Sequence, residues 1–226
     1  MKRIVVLGST GSAGQQTLDV VRAFPDQLQV IGLAAKTNHE LLSQQVGEFG
    51  PKYLYFSQEA LLEPPPLLAR PAWVSMEEMA ALPEADLVVS ATASALASLP
   101  GTLAALKAGK RLVLAHTEVM VMAGGLLMQA AREHGASILP AEGAPSAIWQ
   151  CMRGEPGEAR RVILTTTEGP SVAHGPEMAQ AAGRDATTRS AQRLGKKARV
   201  DTMTLMNVGM QAIESYYLFG IPYDRM

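Results

Sequence analysis

Cysteine is almost absent from this chain. The single residue Cys151 excludes an internal disulfide framework and a zinc site built on thiolates. Aromatic residues make up only 5% of the sequence, too few for the stacking platforms on which single-stranded nucleic acids rest. An excess of either charge is lacking too: 20 Lys and Arg stand against 21 Asp and Glu, so no basic face marks a nucleic-acid or membrane surface. No apolar run reaches membrane-spanning length, and the N-terminal one leads into glycines rather than a signal-peptide cleavage site. These features point to a cytoplasmic protein with neither nucleic acid nor membrane as partner. What is present is 47% apolar residues with 20 Gly and 14 Pro, enough for the core of a turn-rich α/β protein.

The stretch Arg3–Gly14, RIVVLGSTGSAG, organises the rest. Ile4–Leu7 is a short apolar run of the kind buried on both faces of a parallel sheet. Gly8, Ser9, Thr10, Gly11, Ser12, Ala13 and Gly14 follow, and Gln15–Phe24 then carries Leu18 and Val21 at helical spacing. The glycines therefore occupy a strand-to-helix turn, which aims free N–H groups and the positive end of a helix dipole at one spot. The spacing is GxxGxxG, so two readings stand: a dinucleotide phosphate turn, which this context favours, or a tight turn needing glycine for its backbone. In NAD sites an acidic residue about 20 positions further on receives the ribose 2′-hydroxyl. Here the second strand ends Ala35-Lys36-Thr37-Asn38, with no carboxylate, which favours NADP through Lys36 unless that lysine is only a solvated loop charge.

Alternating strand and helix signals through the first half predict a doubly wound sheet. Strands are expected at Gln29–Ala35, Tyr53–Phe56, Trp73–Ser75, Asp86–Ser90, Arg111–Ala115 and Ser137–Leu139. Helices are expected at Asn38–Phe49 with Asn38 as N-cap, Glu77–Leu82, Leu99–Ala108, and over a long stretch ending near His134. Glu63–Pro66 reads as loop. Beyond Gly143 the character changes, and Arg161–Thr167 reads as a strand. Glu168–Arg193 reads as loop with a short helix near Met178, Val200–Asn207 alternates imperfectly, and Gly209–Phe219 reads as helix. The expected architecture is a Rossmann-like doubly wound parallel sheet over residues 1–145, followed by an incomplete α+β catalytic domain over residues 146–226.

Three segments carry a family resemblance: GSTGSAGQQTLDVVR, PGTLAALKAGK, and the tail GKKARVDTMTLMNVGMQAIESYYLF. They resemble 1-deoxy-D-xylulose 5-phosphate reductoisomerase throughout the chain and in order. That resemblance implies a homodimeric enzyme using NADPH and a divalent Mg²⁺ or Mn²⁺. Its reaction rearranges and reduces a phosphorylated sugar, deoxyxylulose phosphate, in the methylerythritol phosphate route to isoprenoid precursors. It also implies that the chain stops before the rest of the catalytic domain, the dimer-forming sheet and a C-terminal helical domain.

Carried over residue by residue, the resemblance preserves the scaffold better than the chemistry. The cofactor turn GSTGSIG is Gly8–Gly14 with only Ala13 changed, and AGKN keeps Asn38. ANKES reads Ala115, His116, Thr117, Glu118 and Val119, so Glu118 keeps its chemistry while the substrate lysine becomes Thr117. The metal-binding acids correspond to Glu142, Gly143, Ala144 and Gln211, leaving Glu142 as the one carboxylate. SGGPFR reads Thr167–Val172 with Glu168 where phosphate would approach. The lid HPxWxMG reads Arg189–Gly195 and keeps Gly195, while DSATMMNKG reads Asp201–Gly209 and keeps Thr202 and Asn207. Implied roles are therefore catalytic for Glu118 and Glu142, metal for Glu142, cofactor for Gly8–Gly14, Asn38 and Glu118, and substrate for Gly195, Thr202 and Asn207. Departures gather on residues that bear charge or metal. Two readings follow, an NADPH-dependent reductoisomerase with impaired turnover or a non-catalytic NADP(H)-binding relative; a metal-free reductase of another carbonyl, with His116 as proton donor, is the third.

Overall fold

The structure is a computed structural model and describes residues 1–57, 71–153, 159–165 and 206–226. It falls into two compact units, Met1–Gln150 and Cys151–Met226. In the first unit, seven strands among the described residues form one parallel sheet: β1 (Lys2–Leu7), β2 (Leu28–Ala35), β3 (Tyr53–Phe56), β4 (Ala72–Trp73), β5 (Leu87–Ser90), β6 (Arg111–Leu114) and β7 (Ser137–Pro140). Their order is β4-β3-β2-β1-β5-β6-β7. The chain thus winds outward from β1 in one direction, then returns to the other side of β1 and winds away again. The reversal lies between β1 and β5, whose registers Leu7↔Ser90 and Val6↔Val89 set two strand ends side by side. In doubly wound sheets the ligand crevice opens at this point, beyond the carboxyl ends of the strands.

Burial explains why the strands were readable. Ile4, Val5, Val6 and Leu7 are all 2% exposed or less, so the strand is apolar without alternation. One face packs Ile4, Val6, Val30, Leu33 and Val89 against Leu18 and Val21 of helix α1 (Ser12–Ala23) and Leu42 and Val46 of α2 (His39–Phe49). The other receives α3 (Met76–Ala80) and α4 (Ala95–Lys107): Met79 lies beside Gly32 and Val5, and Gly101 against Leu7. Helix α5 (Thr117–Glu133) packs on α4. Each buried leucine of this core is worth about 2–5 kcal/mol against truncation to alanine.

Several expectations are corrected. Helix α4 begins at Ala95, four residues before the expected Leu99, because Pro100 sits inside it rather than at its start. A helix not expected at all, α6 (Gly143–Met152), carries Pro145 in its first turn, where the missing N–H has no helical partner to lose. Residues 161–165 of the expected Arg161–Thr167 strand form none; Val162 N–H reaches Arg225 O at 2.8 Å, and β-prone side chains without a paired ladder stay coil. Helix α7 (Met206–Phe219) starts three residues ahead of Gly209. The loops and short helix expected at 63–66 and 168–193 lie outside the described residues. Among the described residues, no helix is long and apolar enough to cross a membrane.

Candidate functional site

The glycine turn closes over the crevice between β1 and β5. Gly8 has φ +89°, and a Cβ there would stand 2.5 Å from Ala91 O and 2.7 Å from Thr92 N, so backbone and space both demand glycine. Gly8 and Ser9 donate their N–H groups to the same Ala34 carbonyl, at 2.8 and 2.9 Å. A Cβ on Gly14 would collide with Gly8 O and the Ser9 backbone, so the first turn of α1 lies directly on the exit of β1. Gly11 is the N-cap of α1 and has no side chain to cap with. The first helical bond is Gln15 N–H to Gly11 O, 2.9 Å, and the N–H groups of Ser12, Ala13 and Gly14 meet no acceptor among the described residues. These donors and the α1 dipole make a seat for an anion such as a pyrophosphate.

Side chains around the turn divide by role. Ser9 is fully buried and faces Gln45 of α2, while Thr10 receives the Gln15 side-chain amide on its carbonyl at 3.0 Å. Ser12 is exposed, and Ala13 is half-buried against the core at the start of α1. Asn38 caps α2 as expected, its Oδ1 accepting Leu41 N–H at 3.0 Å, and the residue is exposed. Lys36 is exposed two residues earlier. Gln45 was not singled out from the sequence, although a signal existed: it interrupts the apolar stripe of α2 between Leu42 and Val46.

The expected carboxylates are brought together by topology. Glu118 lies in the first turn of α5, after β6, and Glu142 follows β7, the strand beside β6. Glu118 is half-buried, and His116 Nδ1 lies 4.0 Å from its Oε2. Desolvation, with the Glu118 charge second, pushes Glu142 up to about 7; solvent on its exposed face opposes the full displacement. In the second unit Asn207 and Gln211 are half-buried, one helical turn apart on α7. Gly195 and Thr202 lie outside the described residues. A divalent cation does not fit this donor set: Ala144 offers no ligand, Gln211 only a neutral amide, and no group of three or more His, Cys, Asp or Glu side chains converges among the described residues.

Residues 4–124 match the family described as 1-deoxy-D-xylulose 5-phosphate reductoisomerase, and residues 138–219 match its C-terminal domain. The chain belongs to the 1-deoxy-D-xylulose 5-phosphate reductoisomerase family. The reductoisomerase of Acaryochloris marina is 41% identical over 242 residues, covering 100% of this chain and 59% of that relative. A crystal structure of DOX-P reductoisomerase with fosmidomycin and magnesium superposes with TM-score 0.83 at 28% identity, over 100% of this chain and 59% of that one. The Zymomonas mobilis reductoisomerase in complex with NADPH gives TM-score 0.75 at 31% identity, over 99% and 60%. The chain thus spans 59% of the length of the curated relative from Acaryochloris marina.

Proposed function

We propose that this chain binds NADPH and is a reductoisomerase-type oxidoreductase with impaired turnover. The observation that carries the reading is the crevice turn, where Ser12, Ala13 and Gly14 hold their N–H groups open toward a pyrophosphate. Gly8 and Gly14 leave no room for a Cβ because the backbone of Ala91 and of the turn itself lies against them, which packs the turn tightly at the start of α1. Lys36 stands where an acidic partner of the ribose would favour NAD, and so selects the 2′-phosphate of NADP. The Asn38 amide and Glu118 bound the cofactor site at its sides. When bound, NADPH supplies a hydride to a substrate carbonyl carbon.

The chain's own residues orient that encounter. Glu118 and Glu142 follow the ends of β6 and β7, and Asn207, Thr202 and Gly195 are assigned to a phosphorylated sugar. No step is routed through Mg²⁺ or Mn²⁺, because Glu142, Ala144 and Gln211 are too poor a donor set, and turnover falls accordingly. That same donor set favours a second reading, a non-catalytic NADP(H)-binding relative.

Calorimetric titration with NADPH, with and without Mn²⁺, separates these readings. Micromolar binding indifferent to metal supports an intact cofactor unit. NADPH consumption on adding deoxyxylulose phosphate then indicates an impaired enzyme, and none indicates a binding protein. Absence of NADPH binding removes both.

A further inference from the structure

Every polar group of Ser9 is held by the β2–α2 unit. Its N–H goes to Ala34 O at 2.9 Å, its hydroxyl donates to Gln45 Oε1 at 2.7 Å, and its carbonyl accepts from Gln45 Nε2 at 3.0 Å. Ser9 is fully buried and Gln45 is 2% exposed, and polar side chains so deep are tolerated only when paired. The reciprocal ring fixes Ser9 as one piece with helix α2.

That ring matters for the ligand. Gly11 is the N-cap of α1, so Ser9 lies two residues outside the helix, and the N–H groups of Ser12, Ala13 and Gly14 are open as in the first turn of any helix. Gln45 holds the Ser9 carbonyl and hydroxyl, and so fixes the segment that leads from β1 into that open turn. A turn whose donors are held in place by a buried side chain loses less freedom when an anion binds.

We propose that Gln45 is a positioning residue for the cofactor turn, holding Ser9 so that the open N–H groups at the start of α1 are aimed at a dinucleotide pyrophosphate. The proposal rests on the NADPH reading above. It also makes α2 a link between both ends of the site, since Asn38 caps the same helix that carries Gln45.

The test compares NADPH with adenosine 2′-monophosphate, which lacks the pyrophosphate, by calorimetry on the whole chain. Gln45→Met fills the same volume without a hydrogen-bonding amide, and should weaken NADPH about tenfold while leaving adenosine 2′-monophosphate within about twofold. A purely structural role predicts that both affinities fall together or that neither changes, and either result overturns the positioning role. The double variant Ser9→Ala with Gln45→Met removes the orphaned hydroxyl and should regain thermal stability without regaining NADPH affinity. Recovery of both together would also overturn it. A readout without ligand is amide hydrogen exchange of Ser9, expected to quicken in Gln45→Met; an unchanged rate sinks the proposal even if NADPH binds. If the starting chain binds no NADPH while Ser9 exchange does respond, the cofactor reading fails and with it the ligand part of the proposal, whereas Gln45 still holds the turn.

Discussion

Gly8 is constrained twice, by a left-handed φ and by the carbonyl of Ala91, which occupies the space a Cβ would need. Gly8→Ala should therefore cost about 2–3 kcal/mol, read as a lower denaturant midpoint with unchanged slope. At Gly14 the obstruction is Gly8 O itself, so Gly14→Ala must push α1 off the end of β1; NADPH binding should weaken by more than about tenfold at a smaller loss of stability. A different residue pair governs pH. Asp86 accepts from the Arg3 guanidinium at 3.2 Å and from Arg3 N–H at 2.7 Å, which hold its carboxyl down at about 2. The folded chain thus keeps Asp86 ionised where the unfolded chain protonates it. Its contribution is present in full above about pH 5 and is lost as pH falls from about 4 toward 2. Both side chains are more than a third exposed, so solvent screening keeps the effect small. In urea titrations, the stability gap between the starting chain and Asp86→Asn should be open at pH 6 and nearly closed at pH 2.

On the NADPH reading, helix α2 joins a structural and a ligand-facing duty at one residue. Asn38→Asp retains the oxygen that accepts Leu41 N–H, so stability should hold; it also removes the amide donors and adds a negative charge where a phosphate approaches, so NADPH should bind several-fold more weakly. Asn38→Ala should lose about 1 kcal/mol of stability as well. Thermal midpoints and calorimetry on the two variants separate the roles. The elements that were legible in the sequence are those whose pattern has one cause. Ile4–Leu7 and Leu33–Ala35 are apolar because both sheet faces are covered, and Asn38 precedes a helix because it caps one. Ala95–Ser98 was missed since Pro100 looks like a helix start, and α4 instead tolerates it in mid-helix beside Gly101, where Leu7 approaches. Three buried hydroxyls, Ser90, Ser98 and Thr102, satisfy one another at 2.7–3.1 Å under α4, and their pairing was not read from the sequence. The approach of Glu142 to Glu118 depends on β7 lying beside β6, a pairing that no local spacing encodes.

At the scale of the whole molecule, the division at Gln150 places the entire sheet, the glycine turn, Asn38, Gln45, Glu118 and Glu142 in one compact unit. Every strand of that sheet ends by Pro140, and helices cover both of its faces, so the core closes without residues from 151 onward. On the proposed reading, cofactor binding needs only donors of the β1–β5 crevice, whereas substrate handling is assigned to Asn207 and to Thr202 and Gly195, outside the described residues. The two functions should therefore separate. A fragment of residues 1–150 is expected to give a cooperative thermal transition by circular dichroism and to bind NADPH within about twofold of the full chain, because none of the groups invoked for the pyrophosphate is removed. Loss of NADPH binding in a fragment that still melts cooperatively would place part of the cofactor site beyond residue 150, and the crevice between β1 and β5 would then be only one half of it.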